Sequence, residues 1–262
     1  MTDLVVSAAW LADTLDSVRV VDVRDAWEYD GIGHVPGAVN VPFDSFRADE
    51  HATESDGMLP GEDAFAALMR EAGISRDDRV VAYDDDHGVF AARFLVTAEL
   101  YGHPTDRLHL LDGDFSAWQL DHETTGEAPD PTPSEYDARR SEATPLVDAD
   151  AVAAAIEDDG TVIVDTREQW EYDEGHIPGA IRLDWRELVD DETRGLKAEA
   201  TIREILTDRG IAPEKRVLLY CNTARRISHT YVVLRWLGYE DLAFYEGSLT
   251  EWEAAGRPIE SA

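Results

Sequence analysis

The sequence predicts an α/β protein of two tandem domains, each a mostly parallel sheet with helices on both faces. Three observations carry this. Residues 21–38, Val-Asp-Val-Arg-Asp-Ala-Trp-Glu-Tyr-Asp-Gly-Ile-Gly-His-Val-Pro-Gly-Ala, return one residue shorter at 164–180 as Val-Asp-Thr-Arg-Glu-Gln-Trp-Glu-Tyr-Asp-Glu-Gly-His-Ile-Pro-Gly-Ala. Two further matched pairs follow in the same order: Arg79-Val-Val-Ala-Tyr-Asp84 with Arg216-Val-Leu-Leu-Tyr-Cys221, and Gly113-Asp-Phe-Ser-Ala-Trp118 with Gly247-Ser-Leu-Thr-Glu-Trp252. Within each copy, short β-branched runs alternate with stretches of helical spacing, as strands joined by crossover helices require.

In the first copy, Val18–Val23 reads as a strand, and Asp25-Ala-Trp-Glu28 as a capping box that opens a helix. Gly-His-Val-Pro-Gly-Ala is a turn, with proline fixing one backbone angle and glycine permitting unusual ones. Ala38–Val41 is a short strand. Glu62 to Glu71 has helical spacing through Phe65, Leu68 and Met69, ended by Gly73. Val80–Tyr83 is a buried strand, Phe90–Leu100 a helix, Leu108–Leu111 a strand, and a helix ending in Trp118 closes the unit. The second copy repeats the order, with strands at Val162–Val164, Val217–Tyr220 and Ala243–Tyr245 and a capping box expected at Thr166-Arg-Glu-Gln169. The domains are read as 1–125 and 144–262, joined by a linker over 126–143. The proline-rich run Thr124–Pro133 is expected to be partly extended and puts the boundary near residue 130.

With 262 residues and 44% hydrophobic content, there is material for a packed core in each copy. No apolar run approaches the ~18 residues of a membrane span, and no basic-then-apolar leader opens the chain, so a soluble, cytoplasmic protein without a membrane partner is expected. The 56 acidic and 23 basic residues give a net charge of −33, which repels phosphate backbones and argues against nucleic acid as a partner. Such acidity fits a halophilic protein working at high intracellular salt. At molar salt the Debye length falls to ~3 Å and self-repulsion is screened. The thermal midpoint should therefore rise from dilute buffer to molar KCl; an unchanged midpoint would exclude salt adaptation.

Cys221 is the one cysteine, so no intramolecular disulfide and no cysteine cluster for a metal can form. It follows a strand, at the edge where parallel sheets bind ligands. The short loop behind it, Asn222-Thr-Ala-Arg-Arg226, leads into a helix N-terminus whose backbone N–H groups favour an anion at the sulfur. Arg225 and Arg226 add two permanent charges. A thiol in that setting is a candidate nucleophile, and Asp84 stands opposite it in the other copy. Residues present in both copies (Asp22 and Asp165, Arg24 and Arg167, His34 and His176) are read as loop scaffolding, and Trp27, Trp118, Trp170 and Trp252 as core or domain packing. His229 is assigned to a helix surface, and Asp84-Asp-Asp86 to an acidic strand end without a metal.

These tandem copies resemble two-domain rhodaneses, the thiosulfate and 3-mercaptopyruvate sulfurtransferases. The resemblance rests on the Gly-His-Ile-Pro-Gly-Ala turn (175–180), Met58-Leu-Pro-Gly61 with Phe65, the Tyr83-Asp84 strand end and the Tyr220-Cys221 loop, and it spans nearly the whole chain. It implies two rhodanese-like domains, a first one without the nucleophile, and a Cys221 that becomes a persulfide within a six-residue loop of Cys221, Asn222, Thr223, Ala224, Arg225 and Arg226. It also implies a small-molecule sulfur donor, a thiol or cyanide acceptor, and no metal or organic cofactor. Cysteine phosphatases on a similar fold place five residues between cysteine and arginine; here four separate Cys221 from Arg226, which disfavours phosphatase or arsenate reductase chemistry. The basic loop looks closer to thiosulfate-type than to mercaptopyruvate-type members. One departure concerns the position where many animal members carry a substrate-binding arginine, which here is Glu171; Arg225 and Arg226, with Arg182 or Arg186, are then left to hold the donor. A 3-mercaptopyruvate enzyme, or a carrier passing persulfide sulfur to a protein acceptor, is the alternative.

Overall fold

A computed structural model describes residues 3–48, 59–140 and 144–261; Met58 lies outside these. The chain forms two compact units, one of residues 1–144 with 191–195, the other of 145–190 and 196–262. In the first, the elements are β1 (Val5–Val6), α1 (Ala8–Thr14), β2 (Arg19–Asp22), α2 (Ala26–Ile32), β3 (Val39–Asn40), α3 (Glu62–Glu71), β4 (Val80–Tyr83), α4 (Val89–Leu100), β5 (Leu108–Leu111) and α5 (Phe115–Asp121). In the second they are α6 (Ala149–Ala155), β6 (Thr161–Asp165), α7 (Gln169–Glu174), β7 (Ile181–Arg182), α8 (Glu199–Asp208), β8 (Arg216–Tyr220), α9 (Arg225–Trp236), β9 (Leu242–Phe244) and α10 (Ser248–Ala254).

Both sheets are parallel, ordered β1-β5-β4-β2-β3 and β7-β6-β8-β9. The chain leaves β2 in one direction across the sheet and β4 in the other, so their C-terminal loops diverge and leave a crevice. β6 and β8 repeat this in the second unit. Strands β4 and β8 are buried on both faces, as their unbroken apolar runs require. Against one face of the second sheet pack Ile163, Leu218, Tyr220, Leu249 and Trp252; Val20, Val81, Tyr83, Phe115 and Trp118 do the same in the first unit.

The Asp25 capping box is present, but that of the second copy is formed by Glu168 and Glu171 rather than Thr166 and Gln169. The reason is burial: Thr166 is turned inward, its hydroxyl donating to the Tyr220 carbonyl at 3.4 Å, while Glu168 can reach the free N–H groups of α7. Residues 126–140, within the segment read as linker, form no helix or strand and pack on the first unit. Tyr136 and Ala138 are buried, and the N–H groups of Ser134 and Arg139 donate to the carbonyls of Arg70 and Tyr101.

Candidate functional site

The same frame stands behind both strand ends. Asp22 accepts from the Arg24 side chain and from the Tyr83 hydroxyl (2.6 Å), and Asp165 accepts from Arg167 and Tyr220 (2.7 Å). The tyrosine oxygens in turn accept from the N–H of Val35 and Ile177, and the arginines donate to the carbonyls of Gly33 and Gly175. Each buried charge is thus paired and hydrogen-bonded, which is the condition for its burial. His34 and His176 stack on Tyr29 and Tyr172 at 3.8 Å between centroids and bond backbone carbonyls. Residues shared by the copies brace the loops.

Cys221 follows β8 directly and is buried. Its N–H donates to the Ser248 hydroxyl at 3.1 Å, and its carbonyl accepts from the Leu249 N–H at 2.9 Å, so the start of α10 fixes the cysteine backbone. Ser248 itself sits at φ 50 and donates to the Tyr245 carbonyl. Three residues on, Ala224 takes a left-handed conformation (φ 62) as N-cap of α9. A non-glycine residue there is strained by about 1 kcal/mol, and the strain turns the chain sharply enough to start a helix beside the sulfur.

The first copy shows what such a loop holds. The buried Asp84 carboxylate accepts four backbone N–H groups, from Asp86 (2.8 Å), Gly88 (2.8 Å), Phe90 (2.7 Å) and Ala91 (2.9 Å). An anion therefore sits at the start of α4, in a ring of amides supplied by the loop and the first helical turn. The two loops differ in length. The left-handed cap Gly88 lies four residues after Asp84, whereas Ala224 lies three after Cys221.

Around Cys221 the structure gathers some of the expected residues. Arg226 pairs with Glu171, one nitrogen donating to Oε1 at 2.8 Å and the other to Oε2. Asn222 Nδ2 donates to the same carboxylate at 2.7 Å, and Arg167 reaches Asn222 Oδ1 at 3.3 Å. Burial works against both charges of the pair. The bonds from Arg226 and the Glu168 N–H nonetheless hold the Glu171 carboxyl below its usual range, and Glu171 together with the Cys221 sulfur keeps the Arg226 guanidinium firmly charged. Thr223 is exposed and Ala224 buried, and Arg225 opens α9 half-buried. Arg182 is paired with Glu187 at 2.8 Å, and Arg186 lies 3.7 Å from Glu168. A cleft of about 490 Å³ opens beside the loop, lined in part by Asn222, Arg167, Glu171 and Trp170.

Two expectations need correcting. Trp118 and Trp252 are core residues, but Trp27 and Trp170 are 66% and 63% exposed. Each stands one residue before the glutamate that closes its cap, on the solvent side of a short helix, with its indole N–H bonded to the cap carboxylate. His229 is fully buried and meets Trp185 edge-on at 5.1 Å between centroids; it lies on the inner face of α9. Sequence reasoning missed Ser248 and Thr250, which tie α10 to the backbone of Cys221 and Asn222. The signal was available in the Gly247-Ser-Leu-Thr run, where the other copy has Gly-Asp-Phe-Ser.

A family profile described as the rhodanese-like domain matches residues 7–121 and again 148–255. The chain is 32% identical over 264 residues to the thiosulfate sulfurtransferase of Pseudomonas aeruginosa, covering 95% of this chain and 93% of that one. It is 34% identical over 281 residues to the thiosulfate sulfurtransferase of Corynebacterium glutamicum, covering 98% and 90%. Among solved structures, the 3-mercaptopyruvate sulfotransferase SseA of Escherichia coli superposes with a TM-score of 0.82 at 25% identity, over 94% of this chain and 99% of that one.

Proposed function

The chain belongs to the rhodanese-like family, with two such domains in tandem, and on that footing we propose that it is a sulfurtransferase that carries sulfane sulfur on Cys221. The Cys221 thiolate attacks the outer sulfur of thiosulfate, the S–S bond breaks, and sulfite leaves with its electron pair. The persulfide that remains is an anion at the N-terminus of α9, where the loop amides stabilise it as they would an oxyanion. A thiol or cyanide then removes the outer sulfur and restores the thiolate. Every step is a covalent displacement at sulfur that the chain's own residues can carry.

The observation that carries this reading is the Asp84 loop: a loop of the same descent, at the same strand end, holds a carboxylate with four backbone N–H groups. Asn222, Thr223 and Ala224 shape the ring of amides around the sulfur, and Arg225 and Arg226 supply the charge that meets the donor, whose oxygens suit a guanidinium fork. The names of the sequence relatives favour thiosulfate. The likeness to SseA supports 3-mercaptopyruvate as the second reading, and Glu171 supports it too, because it already engages Arg226 and leaves less net charge for a dianion. Arg182 and Arg186, with carboxylate partners of their own, have a lesser part. A lone thiol that must stay reduced to react suits a cytoplasmic setting, and a protein acceptor is a further destination for the sulfur.

Intact-mass measurement after incubation with thiosulfate tests the proposal. A gain of one sulfur atom, lost on adding cyanide, is expected; an unchanged mass with thiosulfate and with 3-mercaptopyruvate would refute it. Specificity constants for the two donors in one buffer then decide between them, and a clear advantage for 3-mercaptopyruvate would select the second reading.

A further inference from the structure

The cleft beside the Cys221 loop differs in character from a donor site. At its inner end are Asn222, the residue after the cysteine, and Arg167, whose charge is already matched by Asp165. Its outer part carries the exposed ring of Trp170 and the exposed carboxylates of Glu174 and Glu253. The indole N–H of Trp170 donates to Glu168 at 2.8 Å, which fixes the ring's orientation. An anion such as thiosulfate is repelled there. A cation meets two carboxylates and the face of the aromatic ring that binds cations best.

The first copy serves as an internal control. Leu249 lines the cleft, and its counterpart is Phe115, whose ring lies 3.8 Å from the Arg24 guanidinium carbon and fills the space that the smaller side chain leaves open beside Arg167. Glu253 answers Gln119, and Glu174 stands where the first copy has Gly31 and Ile32. Opening and negative charge thus occur together in the copy that has the thiol, which ties both to the chemistry at Cys221 rather than to the scaffold.

Resting on the sulfurtransferase reading, the geometry points to a second substrate that is a thiol bearing a positively charged amino or guanidino group, held in this cleft with its cation between Trp170, Glu174 and Glu253 and its sulfur toward Asn222. The volume of about 490 Å³ is that of a small-molecule site. The acceptor thiolate attacks the outer sulfur of the Cys221 persulfide. A new S–S bond forms in the acceptor, the bond to Cys221 Sγ breaks with its electron pair returning to the cysteine, and the outer sulfur, an anion in the persulfide, takes up the proton released when the acceptor thiol ionised. The exchange is redox-neutral and needs no further reactant.

The test uses cysteamine, which is cationic, and 2-mercaptoethanol, which is neutral, as acceptors of sulfur from thiosulfate, at the lowest salt at which the protein stays folded. Cyanide turnover is measured alongside, so that failure of persulfide formation is seen separately. Because the two thiols differ in intrinsic reactivity, the quantity read is the ratio of their specificity constants in the wild type and in the double variant Glu174→Gln, Glu253→Gln. Loss of two exposed carboxylate charges, with the Trp170 contact left in place, predicts that this ratio falls about fivefold in the variant. An equal ratio in the two proteins, with cyanide turnover present, overturns the acceptor assignment and leaves the sulfurtransferase reading standing. Absence of cyanide turnover and of persulfide in the wild type overturns both.

Discussion

Asp84 and Cys221 end equivalent strands, and each begins a loop that leads through a left-handed cap into a twelve-residue helix. In one copy the anion is a side chain of the protein, permanently seated on four amides. In the other the residue at the same place is Cys221, the sulfur proposed to gain and lose an atom. On the proposed reading, the comparison teaches that both copies hold negative charge at this strand end while only the second turns over. It also separates residues by role. Asp22, Arg24 and Tyr83 are bonded as Asp165, Arg167 and Tyr220 are, so they belong to the frame. Glu28 and Glu171 diverge: both close a cap, but only Glu171 also holds a loop arginine and a loop asparagine.

Four experiments break or sharpen that comparison. The largest effect belongs to Cys221→Ser, which should abolish sulfur transfer and the mass gain while leaving the circular dichroism spectrum and thermal midpoint close to wild type. Retained transfer would move the chemistry elsewhere.

Next comes the seated carboxylate. Burial pushes the Asp84 carboxyl up to about 6 even against its four N–H bonds, while in the unfolded chain it titrates near ~4. Between those values the folded protein holds a proton that the unfolded chain has lost, so the stability this group contributes falls as pH rises from about 4 to about 6. The Asp84→Asn variant cannot titrate there. The stability of wild type relative to this variant should fall by up to about 3 kcal/mol across the window, as measured by urea unfolding. A constant difference would show that the amides fully offset burial.

A smaller effect is expected at Glu171. Glu171→Gln keeps one oxygen, for either the Glu168 N–H or Asn222, which bond different oxygens of the carboxylate, and removes the charge facing Arg226. The KM for thiosulfate should fall three- to tenfold, corresponding to about 1 kcal/mol for a partly screened ion pair. An unchanged KM would mean that Arg226 does not meet the donor. The smallest expected effect is none: Asp84→Cys should add no second sulfur on incubation with thiosulfate, because the loop after residue 84 is one residue longer and Phe115 fills the neighbouring space. A gain of two sulfur atoms would show that the side chain alone separates the copies.

Much of this architecture is legible without coordinates, because strands β4, β5 and β8 and helix α3 are continuous in pattern and bounded by strong signals. Helix α3 ends in a glycine at φ 68, where the sequence places its stop. The two-residue strands β1, β3 and β7 are too short to show a period, and of these only β3 was expected, from the turn preceding it. At the site, Cys221 and its loop stand out by type and spacing. The partnership of Glu171 with Arg226 does not, since it joins residues 55 positions apart through the fold. Trp27 and Trp170 mislead because a large apolar side chain is ordinarily buried, and which side of a one- or two-turn helix faces the sheet is not fixed by so few residues.

The extra residue in the first loop makes the divergence of the copies directional. A substitution can replace Asp84 by a thiol, but no substitution can shorten the path from residue 84 to Gly88. Beside that loop, Phe115 fills the neighbouring space and the Asp114 carboxylate, where the second copy has the Ser248 hydroxyl, accepts from Ala117 and is paired with Arg194. On the sulfurtransferase reading, the two copies thus differ in backbone as well as in side chain, and loss of Cys221 is not made good by a substitution at residue 84 alone.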